Sequence, residues 1–116
     1  MGLHNTDTVD YLGLEKGTGH VVATLVDDLE WCDEVRHIGL LQAKLNRYFD
    51  FIDSGEIFEM VSQAVGRSIP VSTPVRISIL ARHEPLGEGV RFLEHVSTVA
   101  RDAGVDFAFK VLNHEP

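Results

Sequence analysis

Five carboxylates crowd into eight positions of this sequence: Asp27, Asp28, Glu30, Asp33 and Glu34, with Trp31 and Cys32 between them. Acids at this density could gather a divalent cation or face a basic partner. A hard cation needs several oxygens in fixed geometry, and the run lacks the alternating Asp-x-Asp-x-Asp-Gly spacing that supplies them. His37 follows Glu34 at i+3, as in carboxylate-bridged metal helices, but those sites use the pair twice and add further acids. The simpler reading distributes the acids. Asp27 or Asp28 ends a strand, Asp33 and Glu34 favour a helix start through the dipole, and Trp31 anchors the connection into the core. Asp27, Asp28, Glu30, Asp33, Glu34 and His37 together form the candidate acidic site of an enzymatic or small-ligand reading.

Other reactive residues lack a constellation. Cys32 is the single cysteine, and its acidic neighbours supply no cation to hold a thiolate. His4, His20, His37, His83, His95 and His114 form no His-x-x-x-His and no His-Glu-x-x-His. Lys16-Gly17-Thr18-Gly19 has the residues of a phosphate loop, but such a loop opens a helix, and here a β-rich run follows. Asp50 and Asp53 stand a turn apart at a helix end, where a solvated face is expected. No Gly-x-Ser-x-Gly elbow occurs. The sequence therefore implies no catalytic residue, no metal and no cofactor, and it leans against an enzyme.

The elements that must position these residues follow from periodicity. Val9 to Leu14 and His20 to Val26 are apolar, β-rich runs around a glycine-containing loop, which predicts a hairpin. Val35, Ile38, Leu41, Leu45, Tyr48 and Ile52 recur at three and four, which predicts a helix over 33–53. Ser54-Gly55 breaks it, and Ile57, Val61 and Ala64 mark a weaker helix. From Pro74 the period is two, with Val75, Ile77, Ile79 and Ala81 on one side and Arg76, Ser78, Leu80 and Arg82 on the other. Val90, Leu93, Val96, Ala100 and Ala103 predict a further helix, closed by Gly104. Val105 to Leu112 alternates again. The expected fold is α+β: a two-layer sandwich in which helices cover one face of a four-stranded sheet, in the order β-β-α-(α)-β-α-β. At 116 residues the chain forms one domain.

Several segments resemble a small bacterial protein family of unknown function. They are Asn5 to Asp10, Leu12-Gly13-Leu14-Glu15-Lys16, Asp28-Leu29-Glu30-Trp31, Leu40 to Asn46, Phe51 to Ile57 and Arg91-Phe92-Leu93-Glu94. The resemblance spans residues 5–112 and implies an uncharacterised domain. It carries no activity and no site residue.

A net charge of −8 opposes nucleic-acid binding, which depends on neutralising phosphates. No apolar run approaches a membrane span, the first ten residues have no leader pattern, and one cysteine permits no internal disulfide; a cytoplasmic protein is expected. The most distinctive expectation concerns the sheet face away from the helices. There Arg76, Arg82 and Lys110 would surround Leu80 and Leu112, with Asp10 and Asp106 as cross-strand counter-charges. This surface suits an acidic protein partner or a second copy in a homodimer. The functional expectation is a noncatalytic binding or protein-interaction domain, one form being an immunity protein that neutralises a basic toxin.

Overall fold

The computed structural model describes residues 2–112. Its elements are β1 (Tyr11–Leu14), β2 (Val21–Asp27), α1 (Glu34–Asp53), α2 (Glu56–Val65), β3 (Val75–Ala81), α3 (Glu88–Asp102) and β4 (Asp106–Val111). They follow the order and types that the sequence predicts. The hairpin's first strand is shorter than expected, starting at Tyr11 rather than Val9.

The four strands lie in the order β1-β2-β3-β4. β1 pairs antiparallel with β2, through a loop in which Gly17 and Gly19 adopt positive φ of 91° and 73°. β2, β3 and β4 are parallel neighbours. The α1–α2 pair forms the crossover between β2 and β3, and α3 forms the one between β3 and β4.

Side chains alternate along β2 and β3. Val21, Ala23, Leu25, Val75, Ile77 and Ile79 are buried and join Leu41, Leu45, Tyr48, Ile57, Val61, Leu93 and Val96 in one core. The intervening Val22, Thr24, Val26, Arg76, Ser78 and Leu80 are only half-buried. All helical packing therefore falls on one sheet face.

One core position is charged. Lys44 sits three residues after Leu41 and four before Tyr48, on the stripe that faces the sheet, and it is fully buried. Its Nζ donates at 2.6 Å to Asp10 Oδ1 and at 2.6 Å to the Gly2 carbonyl. The Asp10 carboxylate, also fully buried, uses Oδ2 to accept from Val26 N–H at 2.8 Å. Tyr48 accepts from Asp10 N–H and donates to the Thr24 carbonyl. Burial pushes the Tyr48 phenol far above its usual range, so it remains a donor. The placement of Asp10 corrects the sequence reading, which put it on the open sheet face. A lone carboxylate at the entry to β1 finds its counter-charge in the core.

Removing one partner of a buried pair strands the other charge. Lys44→Ala is expected to lower unfolding free energy by about 3–5 kcal/mol in urea titrations. The double change Lys44→Met with Asp10→Asn should recover much of that loss, since neither charge remains. A loss below 1 kcal/mol for Lys44→Ala (about the worth of an exposed pair) would show that the pair is not buried.

Candidate functional site

Of the acidic segment, the structure joins only Asp27 and His37. Asp27 is the last residue of β2 and His37 lies in the first turns of α1, so the strand and helix meet at their near ends. Both are nearly inaccessible, at 1% and 2% exposure. His37 Nε2 lies 2.6 Å from Asp27 Oδ2, and His37 Nδ1 lies 3.0 Å from the Glu30 carbonyl.

This arrangement fixes a proton. The Glu30 carbonyl can only accept, so Nδ1 carries a hydrogen. The contact between Nε2 and Oδ2 then needs a second hydrogen, carried by the ring or by the carboxyl. The remaining oxygen, Asp27 Oδ1, accepts from Leu29 N–H at 3.1 Å. Burial raises the Asp27 carboxyl above its ordinary range, partly offset by the hydrogen bond and charge of His37. The Trp31 ring stacks on His37 with centroids 3.6 Å apart and an interplanar angle of 15°. Its buried Nε1 has no acceptor among the described residues.

The other acids diverge. Asp33 caps α1, accepting from Arg36 N–H at 3.1 Å. Glu34 lies in the first helical turn, facing Gly87. The Asp28 and Glu30 residues are exposed. Among the described residues no three His, Cys, Asp or Glu side chains converge as a metal site requires. Cys32 is exposed, and so are Asp50 and Asp53. His114 lies outside the described residues.

Gly89 explains how the indole is held. A Cβ there would stand 2.6 Å from Trp31 Cζ3, so the start of α3 presses bare backbone onto the ring. Trp31, His37 and Asp27 thus form a column that locks the β2–α1 connection under α3. Every polar atom of the Asp27–His37 pair already has a protein partner.

The second candidate surface lies on the uncovered sheet face. The register aligns Val22 with Arg76 and Asp106, Thr24 with Ser78 and Ala108, and Val26 with Leu80 and Lys110. Leu80 and Leu112 are half-buried, whereas Arg82 and Lys110 are exposed. Val26, Leu80, Arg82 and Leu112, with Asp27 and Asp28, line a shallow depression at the carboxyl ends of the parallel strands. Arg76 stands apart from the group with which the sequence placed it. Its Nη1 bonds to Glu15 Oε2 and its Nε bonds to Asp106 Oδ2 at 2.7 Å. Those carboxylates hold the guanidinium as a cation, and its fork ties β3 to β4 and to the loop that follows β1. Asp106 is the cross-strand counter-charge expected of it, and Glu15 takes the place assigned to Asp10.

Sequence reasoning missed Asp10 and Lys44 as a buried pair. The signal was present: Lys44 interrupts the apolar stripe on its inward side. The Asp27–His37 contact joins positions ten apart and had no motif to betray it.

A family model described as a family of unknown function, DUF6572, matches residues 1–113. The chain belongs to that family. No curated protein and no solved structure matches it.

The raised carboxyl gives stability a definite sign of pH dependence. Asp27 binds its proton more tightly folded than unfolded, so its contribution is full below the ordinary carboxylate range and declines as pH rises through the folded value. Asp27→Asn keeps an acceptor for Leu29 N–H and a donor for His37 Nε2, yet cannot titrate. Wild-type stability should therefore fall relative to Asp27→Asn as pH increases, by up to about 1.4 kcal/mol per pH unit within the transition. Urea midpoints measured from acidic to mildly basic pH check this; the opposite trend would mean that the carboxyl is stabilised as the anion. Gly89→Ala should destabilise by about 1–3 kcal/mol through the clash with Trp31, visible as altered tryptophan fluorescence.

Proposed function

We propose that this domain is a noncatalytic protein-interaction module whose working surface is the uncovered face of its sheet. One observation carries the reading: three parallel strands have helices on one face only. Parallel sheets are ordinarily covered on both faces, because crossover helices distribute to either side. Here both crossovers pack on the same side, and Val26, Leu80 and Leu112 remain at an open surface flanked by Arg82 and Lys110. That chemistry favours a protein partner with an apolar centre and acidic rim.

The enzymatic alternative would place its chemistry at Asp27 and His37. Their position at the carboxyl end of a parallel strand is where ligands often bind. Their near-complete burial and closed hydrogen bonding favour a structural role instead. A basic toxin, as partner of an immunity protein, would be repelled by Arg82 and Lys110 on the open face, so this form receives no support from that surface. A cytoplasmic setting accords with the single cysteine, which permits no internal disulfide, and a bacterial one rests on the sequence resemblance alone.

Photo-crosslinking in the native host tests the reading. A benzophenone amino acid at Leu80 should yield a discrete adduct with another protein, and the same probe at Gln63, on the exposed side of α2, should not. Leu112→Glu and Arg82→Glu should each remove the adduct while circular dichroism stays unchanged. Equal labelling from both probe positions would reject the open face as the working surface.

A further inference from the structure

We propose that β4 pairs with β4 of a second copy of this chain, antiparallel about a two-fold axis at Ala108, joining two domains into one eight-stranded sheet. β4 is the last strand of the sheet, and no described residue pairs with its outer side. Its half-buried Phe107 and Phe109 border a groove against Val90, Leu93 and Glu94 of α3. Val90 and the nearby Leu86 are exposed as well, so the edge presents apolar surface.

The backbone limits how a copy could add. Leu112 N–H donates to the Ala81 carbonyl at 2.7 Å, so even-numbered residues of this strand turn their amides toward β3. Peptide direction alternates along a strand, which leaves Phe107, Phe109 and Val111 with N–H and C=O turned outward. In an antiparallel pair, hydrogen-bonded residues must both turn outward, so odd positions meet odd positions. A two-fold axis then lies at an inner strand residue, 107 to 110, and an axis at Lys110 would set the two lysines against each other, which leaves 107, 108 or 109.

The side chains choose among these three. With the axis at Ala108, Asp106 faces Lys110 of the copy and Lys110 faces its Asp106, while Phe107 and Phe109 face one another on the opposite surface. With the axis at Phe107, Lys110 meets Gly104; with the axis at Phe109, it meets Ala108. Only the central choice gives Lys110 an acid. Asp106 bonds Arg76 through Oδ2, and its side chain is 63% exposed, which leaves Oδ1 open to the copy. Lys110 is exposed and has no ion-pair partner among the described residues. An edge lysine opposes indiscriminate strand pairing; an acid four residues earlier converts that opposition into selection of one register. Opposite charges and aromatic pairs directly across strands both stabilise such a ladder. The two open faces would become continuous, with Lys110 paired across the seam and Arg82 left, among the described residues, as the free base of each face.

A cysteine at the axis reads the register directly. Ala108 would face its copy as a non-hydrogen-bonded pair, with Cα atoms about 4.5 Å apart, within disulfide reach. In a Cys32→Ser background, Ala108→Cys should form a disulfide-linked dimer under mild oxidation. Ser78→Cys, on the same face but one strand inward, should not, since three strand spacings of about 4.8 Å separate the copies there. Sedimentation should show a dimer in the micromolar range. Lys110→Asp should weaken it at least about tenfold by setting acids opposite acids, and adding Asp106→Lys should restore it. Circular dichroism identifies any charge variant that fails to fold, in which case the cysteine pair decides. A monomer throughout the micromolar range, a dimer indifferent to Lys110→Asp, or equal crosslinking at positions 78 and 108 would each overturn the proposal. A dimer lost without loss of the Leu80 adduct would separate this edge from the function proposed for the open face.

Discussion

The buried ion pair between Lys44 and Asp10 ties together parts of the chain that no sheet hydrogen bond connects. β1 pairs with β2 only as far as Thr24, and beyond that point the edge of β2 away from β3 has no strand beside it. Asp10 accepts the Val26 amide and Tyr48 donates to the Thr24 carbonyl, so two side chains continue the work of the missing strand. Buried amides and carbonyls left unmatched would each oppose folding. Lys44 makes the arrangement possible by neutralising Asp10, and its bond to the Gly2 carbonyl brings the beginning of the described chain against the same helix. The position of α1 on the sheet, and with it the core, follows from this set of contacts.

A second buried polar contact holds the start of the same helix. Asp27 and His37 hold the last residue of β2 to the first turns of α1, while Trp31 covers the ring and Gly89 lets α3 approach the indole. The helix is therefore held by polar contacts in its first turns, at His37, and at its middle, at Lys44 and Tyr48, with Leu41 and Leu45 packed on the same side. A residue pair that resembles catalytic machinery by type is here saturated by its surroundings. The carboxyl has the Leu29 amide and the imidazole as partners, and the imidazole has the carboxyl and the Glu30 carbonyl. Residue type alone does not make a reactive site; an unfilled coordination or hydrogen-bonding position must remain.

With the helices committed to one face, the chemistry of the other face becomes the open question of function. Arg76 is fixed by Glu15 and Asp106, and it serves the sheet itself by tying β3 to β4 and to the loop after β1. What remains toward solvent is a small apolar patch with Arg82 and Lys110, on a chain with a net charge of −8. Half-buried apolar side chains left on the uncovered face of parallel strands are the asymmetry on which the proposed interaction rests.

The sequence by itself determined the elements and the sidedness of the sheet. Alternation in Val75–Ala81, the three-and-four spacing of Leu41, Leu45 and Tyr48, and glycines at Gly17 and Gly104 act locally, within one turn or one hairpin. The alternation of β3 and β4 was enough to imply helices on one side, whereas β2, apolar at Val22 and Val26 as well as at Val21 and Leu25, carries no such sign. Apart from the cross-strand contact of Arg76 with Asp106, which strand alternation implied, the tertiary structure decided which polar residues meet. Asp10 and Lys44 are separated by 34 positions, and Arg76 and Glu15 by 61. Their pairing depends on strand order, and strand order depends on how crossovers pack, which leaves no periodic trace in the chain. Desolvation acts in the same non-local way: Asp27 is an ordinary acid in an acidic run until β2, α1 and Trp31 close around it, and only then does burial raise its proton affinity and fix its partner.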